Sequence, residues 1–159
     1  MNKRRRLLAR AVPAALALVA TVPLRVRAHQ EHDGVPQKLA LDTNGKKWPT
    51  DEPLRDGMSK VRALLAPKAK EIKTLKLSNG DCKELGVGID QQATAIAARS
   101  KLPHDADLML HVLVRDLLES AQIMQGKGKV APIDGAWKAL QTANNYGTYF
   151  DQPGWTPLA

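Results

Sequence analysis

Cysteine is almost absent from this sequence: Cys82 stands alone among 159 residues. A lone thiol closes no internal disulfide and completes no Cys-x-x-Cys metal knuckle, so packing has to hold the fold unaided. Aromatic residues are also scarce, at 4%. Trp48 and Trp155 are therefore the natural anchors for the two ends of the chain, each burying ~150–250 Å² when covered. The Gly-x-Ser-x-Gly elbow, the phosphate-binding P-loop and the glycine fingerprint for dinucleotides are all missing, which removes the common hydrolase, nucleotide and dehydrogenase classes. Gly126-Lys127-Gly128-Lys129 mixes lysine with glycine but lacks P-loop spacing, and it reads as a solvated turn. Beyond the first 28 residues no apolar run approaches the ~20 needed to span a bilayer. The first 28 residues themselves contain no acid.

That leading stretch is the most specific feature present. A basic segment, Met1–Arg10, runs into the apolar Ala11–Leu24 and then Val26-Arg27-Ala28, which has small residues where a signal peptidase requires them. This is the pattern of a secretory signal peptide. It predicts cleavage after Ala28, a working chain that begins at His29, and residence in the periplasm. Arg4-Arg5-Arg6-Leu7-Leu8 also fits a twin-arginine signal, and Arg25 and Arg27 place positive charge just after the apolar run, which that export route tolerates. An ordinary basic leader is the competing description.

Removing the leader changes the charge argument. The whole chain has 24 Lys+Arg against 16 Asp+Glu and a pI near 9.8. Seven of the basic residues lie in the first 28, which leaves 17 basic and 16 acidic side chains, a net of +1. The inference from strong basicity to nucleic acid therefore lapses.

About 131 residues remain, enough for one domain with a single core. His29–Pro49 is broken by Gly34, Pro36, Gly45 and Pro49 and reads as an extended arm pinned by Trp48. Four amphipathic helices follow. Thr50 is the expected cap of the first, with Asp51 and Glu52 in its first turn and Leu54, Met58, Val61 and Leu65 as its apolar stripe. Pro67 should break it near Ala66, with Ile72, Leu75 and Leu77 suggesting a helical resumption. The second helix is expected over Asp81–Lys101, with Leu85, Ile89, Ala93 and Ile96 inward, Cys82 as a small core residue, and Gly86 and Gly88 allowing close helix contact. The third, His104–Gln125, is the most apolar, with Leu110, Leu113, Val114, Leu117, Ala121 and Met124. The fourth starts at Pro132 and carries Ala136, Leu140, Ala143 and Gly147, with Trp137, Tyr146 and Phe150 beside them, until Asp151-Gln152-Pro153-Gly154 stops it. No strand alternation interrupts the series. The fold class is all-α, an antiparallel up-down-up-down four-helix bundle.

Three segments carry a resemblance. GKKWPTDEPLRDGM (Gly45–Met58), KLPHDADLMLH (Lys101–His111) and YGTYFDQPGW (Tyr146–Trp155) resemble a family of small exported proteobacterial helical-bundle proteins that lack an established activity. The resemblance implies export and an all-helical body. Ser100 stands where that family has cysteine and Gln152 where it has histidine, so a metal site built on that pair does not carry over, whereas His111 matches the family's Leu-His pair.

The architecture is also similar to exported four-helix cytochromes. Covalent haem needs Cys-x-x-Cys-His near the end of the last helix, and Cys82 is alone in the second. The b-type arrangement needs a methionine on the first helix and a histidine on the last. Met58 qualifies, but the fourth helix has no histidine, and haem is not expected.

Two constellations suit a divalent metal. Cleavage after Ala28 would put the α-amino and imidazole nitrogens of His29 side by side, with His32 close behind, a nitrogen set that copper(II) favours. A polar N-terminus that merely contains two histidines is the alternative. Asp107 and His111 lie four apart on one helix face, with His104 a further turn back. They read either as ligands or as a structural histidine hydrogen-bonded to its neighbour. The expectation is thus an exported binding or accessory protein with copper as the leading ligand. A structural or protein-interaction module, presenting Trp48 and Trp155 to a partner, is the rival.

Overall fold

Asp51, rather than Thr50, caps the first helix: its side chain accepts a hydrogen bond from the Leu54 amide at 3.0 Å. The computed structural model describes residues 38–159. The leader, its cleavage site at Ala28, and His29 and His32 lie outside the described residues, as does the arm before Lys38. With Pro53 in its first turn, α1 spans Glu52–Leu65, and the Pro67 break is met by a 3₁₀ turn over Ala66–Lys68. The helical resumption is a short α2, Ala69–Lys73.

The next boundary falls slightly earlier than the sequence suggests. Ser78, whose hydroxyl accepts from the Asp81 amide at 3.1 Å, caps α3 over Asn79–Arg99. Short connections lead to α4, His104–Met124, and α5, Pro132–Tyr149. Pro132 opens α5 in the position where its missing N–H is no loss. Four long helices and one short one make the described body all-helical, and it contains no β-strand.

The core follows the helical periodicity. Leu54, Met58, Val61 and Leu65 of α1, Leu85, Ile89, Ala93 and Ile96 of α3, and the whole expected stripe of α4 are buried. Helix α3 packs on α1, α4 and α5, while α4 packs on α5 and α2 on α5. Two close approaches set the spacing around α4. A Cβ on Gly86 would lie 2.8 Å from Met124 Cβ and 2.9 Å from the Ala121 carbonyl oxygen, and one on Gly135 would lie 2.7 Å from the Ser120 carbonyl oxygen. These contacts put the Gln125–Ala131 loop at the end of the bundle where α3 begins.

Trp137, beside the apolar face of α5, is 41% exposed. One apolar residue departs from the sequence expectation. Leu75, expected in a continuing helix, is 61% exposed and has φ of 55°. The chain there forms the reversal that commonly ends helices: the Leu75 amide donates to the Ile72 carbonyl at 3.0 Å and the Lys76 amide to the Glu71 carbonyl at 2.8 Å. Glycine usually occupies the left-handed position in this motif, and here it is leucine.

The arm is held as Trp48 suggests. Asp42 folds its own turn by accepting from the Asn44 and Lys46 amides at 2.8 and 2.7 Å. Trp48 then forms an isolated parallel bridge with Phe150, its amide donating to the Tyr149 carbonyl and its carbonyl accepting from Asp151, both at 2.8 Å. The Trp48 indole N–H donates to the Ala40 carbonyl at 2.6 Å.

Candidate functional site

Two places collect the chemistry-bearing residues: the clasp where arm, α3–α4 connection and C-terminal tail meet, and the exposed face of α4.

At the clasp, Asp51 serves three elements. Besides capping α1, its carboxylate accepts from the Ser100 hydroxyl at 2.9 Å and from the Lys101 amide at 2.6 Å. Burial tends to raise its pKa, but the hydrogen bonds from Lys101, Leu54 and Ser100 outweigh that and hold the carboxyl below its ordinary value. Thr50 donates its hydroxyl to the Asp151 carbonyl at 2.7 Å, and Arg55 Nη1 donates to the Thr50 carbonyl at 2.6 Å. Tyr146, fully buried, stacks on Phe150 with ring centroids 5.3 Å apart and meets Trp155 edge-on at 4.8 Å. Its hydroxyl donates to Gln152 Oε1 at 2.7 Å, and Gln152 Nε2 donates in turn to the Ser59 hydroxyl at 3.1 Å. Burial pushes the Tyr146 phenol far up, so it stays protonated. The Trp155 indole N–H is buried without a hydrogen-bond partner among the described residues, so packing against Tyr146 is what holds that ring.

The arm, the Ser100–Lys101 turn between α3 and α4, and the C-terminal tail therefore converge here. Ser100 and Gln152 are both hydrogen-bonded in place. Nothing in a lone sequence links Asp51 to Ser100 or Ser59 to Gln152. Trp48 and Trp155 both pack against the core.

The clasp yields a pH prediction. Because the folded-state pKa of Asp51 is depressed, the stability it contributes is present above its unfolded value of about 3.9 and is lost as pH falls through the folded value. Asp51→Ala should cost about 2 kcal/mol at neutral pH, from the lost cap and the stranded Ser100 and Lys101 donors. Asp51→Asn, which keeps a cap but no titrating charge, should show a shallower loss of thermal stability between pH ~5 and ~2 than the parent. Melts that fall equally steeply with acid in the parent and Asp51→Asn would remove this assignment.

On α4, Asp107 and His111 stand together as their spacing predicts. His111 Nδ1 lies 2.8 Å from the Asp107 carbonyl oxygen and 3.4 Å from Asp107 Oδ2. The tautomer that satisfies this contact carries its proton on Nδ1, which leaves the Nε2 lone pair for another partner. The pair is well exposed, at 63% for the His111 side chain and 38% for Asp107. His104, at the start of α4, is exposed too. Among the described residues, no three His, Cys, Asp or Glu side chains lie close enough together to hold a metal.

Cys82 is fully buried in the first turns of α3, where burial first and then the neighbouring Asp81 charge raise its thiol pKa. It packs as the small core residue that its position suggested. Among the described residues, no helix is long and apolar enough to cross a membrane. Compared with known proteins, the chain matches no family model, no curated protein and no solved structure.

Proposed function

We propose that this chain is an exported, periplasmic binding or accessory protein, a clasped up-down-up-down bundle that carries a copper(II)-binding N-terminus and catalyses no reaction of its own. The observation that supports this reading is the fate of the motif residues. Trp48, Asp51, Tyr146, Phe150 and Gln152 are spent on joining the arm and tail to the bundle. That is the design of a carrier scaffold. The ligand set then comes from the start of the arm, where cleavage after Ala28 gives His29 its amino and imidazole nitrogens and His32 adds a third. The exposed Asp107–His111 pair supplies at most one imidazole and one carboxylate, a weaker set for copper.

Equilibrium dialysis of the exported, processed protein against copper and zinc, followed by metal analysis, tests this. One equivalent of copper is expected, with zinc bound more weakly. Adding one residue ahead of His29 should weaken copper binding by about 10-fold or more, since the α-amino group leaves its chelate ring, and His111→Ala should change little. Loss with His111→Ala but not with the extension would move the site to α4. Absence of stoichiometric copper would overturn the metal assignment and favour a protein-interaction module. Mass spectrometry that finds a mature N-terminus away from His29 would remove the N-terminal site altogether.

A further inference from the structure

The end of the bundle where α3 begins differs in charge from the rest of the molecule. Residues 66–84 and 125–131 together carry seven lysines against three carboxylates, a net of +4, while the remainder of the chain past residue 28 has ten basic residues against thirteen acidic. Lys68 is spoken for by Asp81 at 3.0 Å and Glu71 at 3.8 Å. Lys70, Lys73 and Lys76 are exposed and make no ion pair among the described residues. Lys127 and Lys129 sit on the loop that the Gly86–Met124 contact brings to this same end.

Among these lysines stand two exposed apolar tips, Leu75 at 61% and Val130 at 49%. Leu75 is doubly unfavourable for the fold alone. It occupies a left-handed position, φ 55°, that glycine would fill without strain, and it leaves its side chain in water. Leu75 is thus a mostly exposed leucine at a glycine-favouring position, with the unpaired Lys73 and Lys76 beside it in the chain.

We propose that this end docks reversibly on an anionic phospholipid surface, with Leu75 dipping into the acyl boundary and the lysines of α2 and the Gln125–Ala131 loop meeting the headgroups. An acidic protein or a soluble polyanion would satisfy the lysines but gives no reason for leucine at a glycine position; a lipid surface accounts for both. The docking does not depend on the copper assignment, because its residues and its readout are separate.

Sedimentation of the exported, processed protein with vesicles tests this. Vesicles of phosphatidylcholine containing about a quarter phosphatidylglycerol should pull the protein down and vesicles of phosphatidylcholine alone should not, and raising salt from about 50 to 300 mM should release it. Each lysine close to the surface is worth roughly fivefold in partitioning, so Lys70→Gln, Lys73→Gln and Lys76→Gln combined should weaken binding by about 100-fold. Leu75→Gly is the decisive variant. It should lower vesicle binding roughly tenfold by removing the inserted side chain, while its melting temperature rises or holds because the backbone strain is relieved. Vesicle binding that is unchanged in Leu75→Gly, with heparin competing as strongly as anionic lipid, would replace the membrane with a polyanionic partner. No sedimentation with phosphatidylglycerol vesicles would overturn the proposal outright.

Discussion

Leu117→Asp is expected to abolish cooperative unfolding. Leu117 is fully buried in the middle of α4, the most apolar helix, which packs on both α3 and α5. The substitution removes a core side chain worth about 2–5 kcal/mol and puts an unpaired carboxylate in its place at a further cost of several kcal/mol. Domains of this size have only about 5–15 kcal/mol in total. Circular dichroism should show reduced helicity at 25 °C and a broad, non-sigmoidal melt. A sharp transition at the parent temperature would mean that Leu117 does not face the core.

The second large effect concerns a glycine. Gly135→Val should destabilise the bundle by about 3 kcal/mol, because even a Cβ there would lie 2.7 Å from the Ser120 carbonyl oxygen and 2.8 Å from the Met124 amide nitrogen. These are backbone atoms of α4 and have no rotamer by which to retreat. Helix α5 would have to lift away, unseating Ala136, Ala139 and Leu140, which are all fully buried. Gly88→Ala is the control. Its nearest neighbour is the Leu64 Cδ1 methyl at 3.0 Å, on a half-buried side chain that can rotate. That substitution should be neutral, or stabilising by up to about 1 kcal/mol through helix propensity. The two variants should therefore shift the melting temperature in different ways. Equal losses at both positions would show that propensity and packing have been apportioned wrongly.

The helical layout was legible in the sequence because burial in a bundle repeats with the helix itself. Leu54, Met58, Val61 and Leu65 announce α1 by spacing alone, and all four are buried. Boundaries were readable to within a residue or two, since a cap depends on which of several suitable side chains turns back: Asp51 rather than Thr50, and Ser78 ahead of α3. Leu75 misled because its spacing suits a helix, whereas the backbone reverses after Thr74 through hydrogen bonds that no periodicity encodes. The clasp was the least readable part. Trp48 advertised an anchor through its size, but the pairing of Asp51 with Ser100 and of Gln152 with Ser59 joins residues 49 and 93 positions apart. The Asp107–His111 contact spans one helical turn and could be read directly.

The Trp48–Phe150 bridge also bears on the order of folding events. The α3–α4 and α4–α5 pairs join neighbours in the chain and close short loops, whereas the clasp joins Thr50 to Asp151 across 101 residues. In an unfolded chain, closing a loop of about 100 residues carries an entropic charge of about 4 kcal/mol, more than a few hydrogen bonds return. Once the helices have associated, the two ends are already neighbours and the same hydrogen bonds form almost without penalty. The clasp is therefore a late and separately reversible event. It can open while the helices stay packed, so the described part of the arm, residues 38–49, can detach and reseat on a native bundle without the protein unfolding.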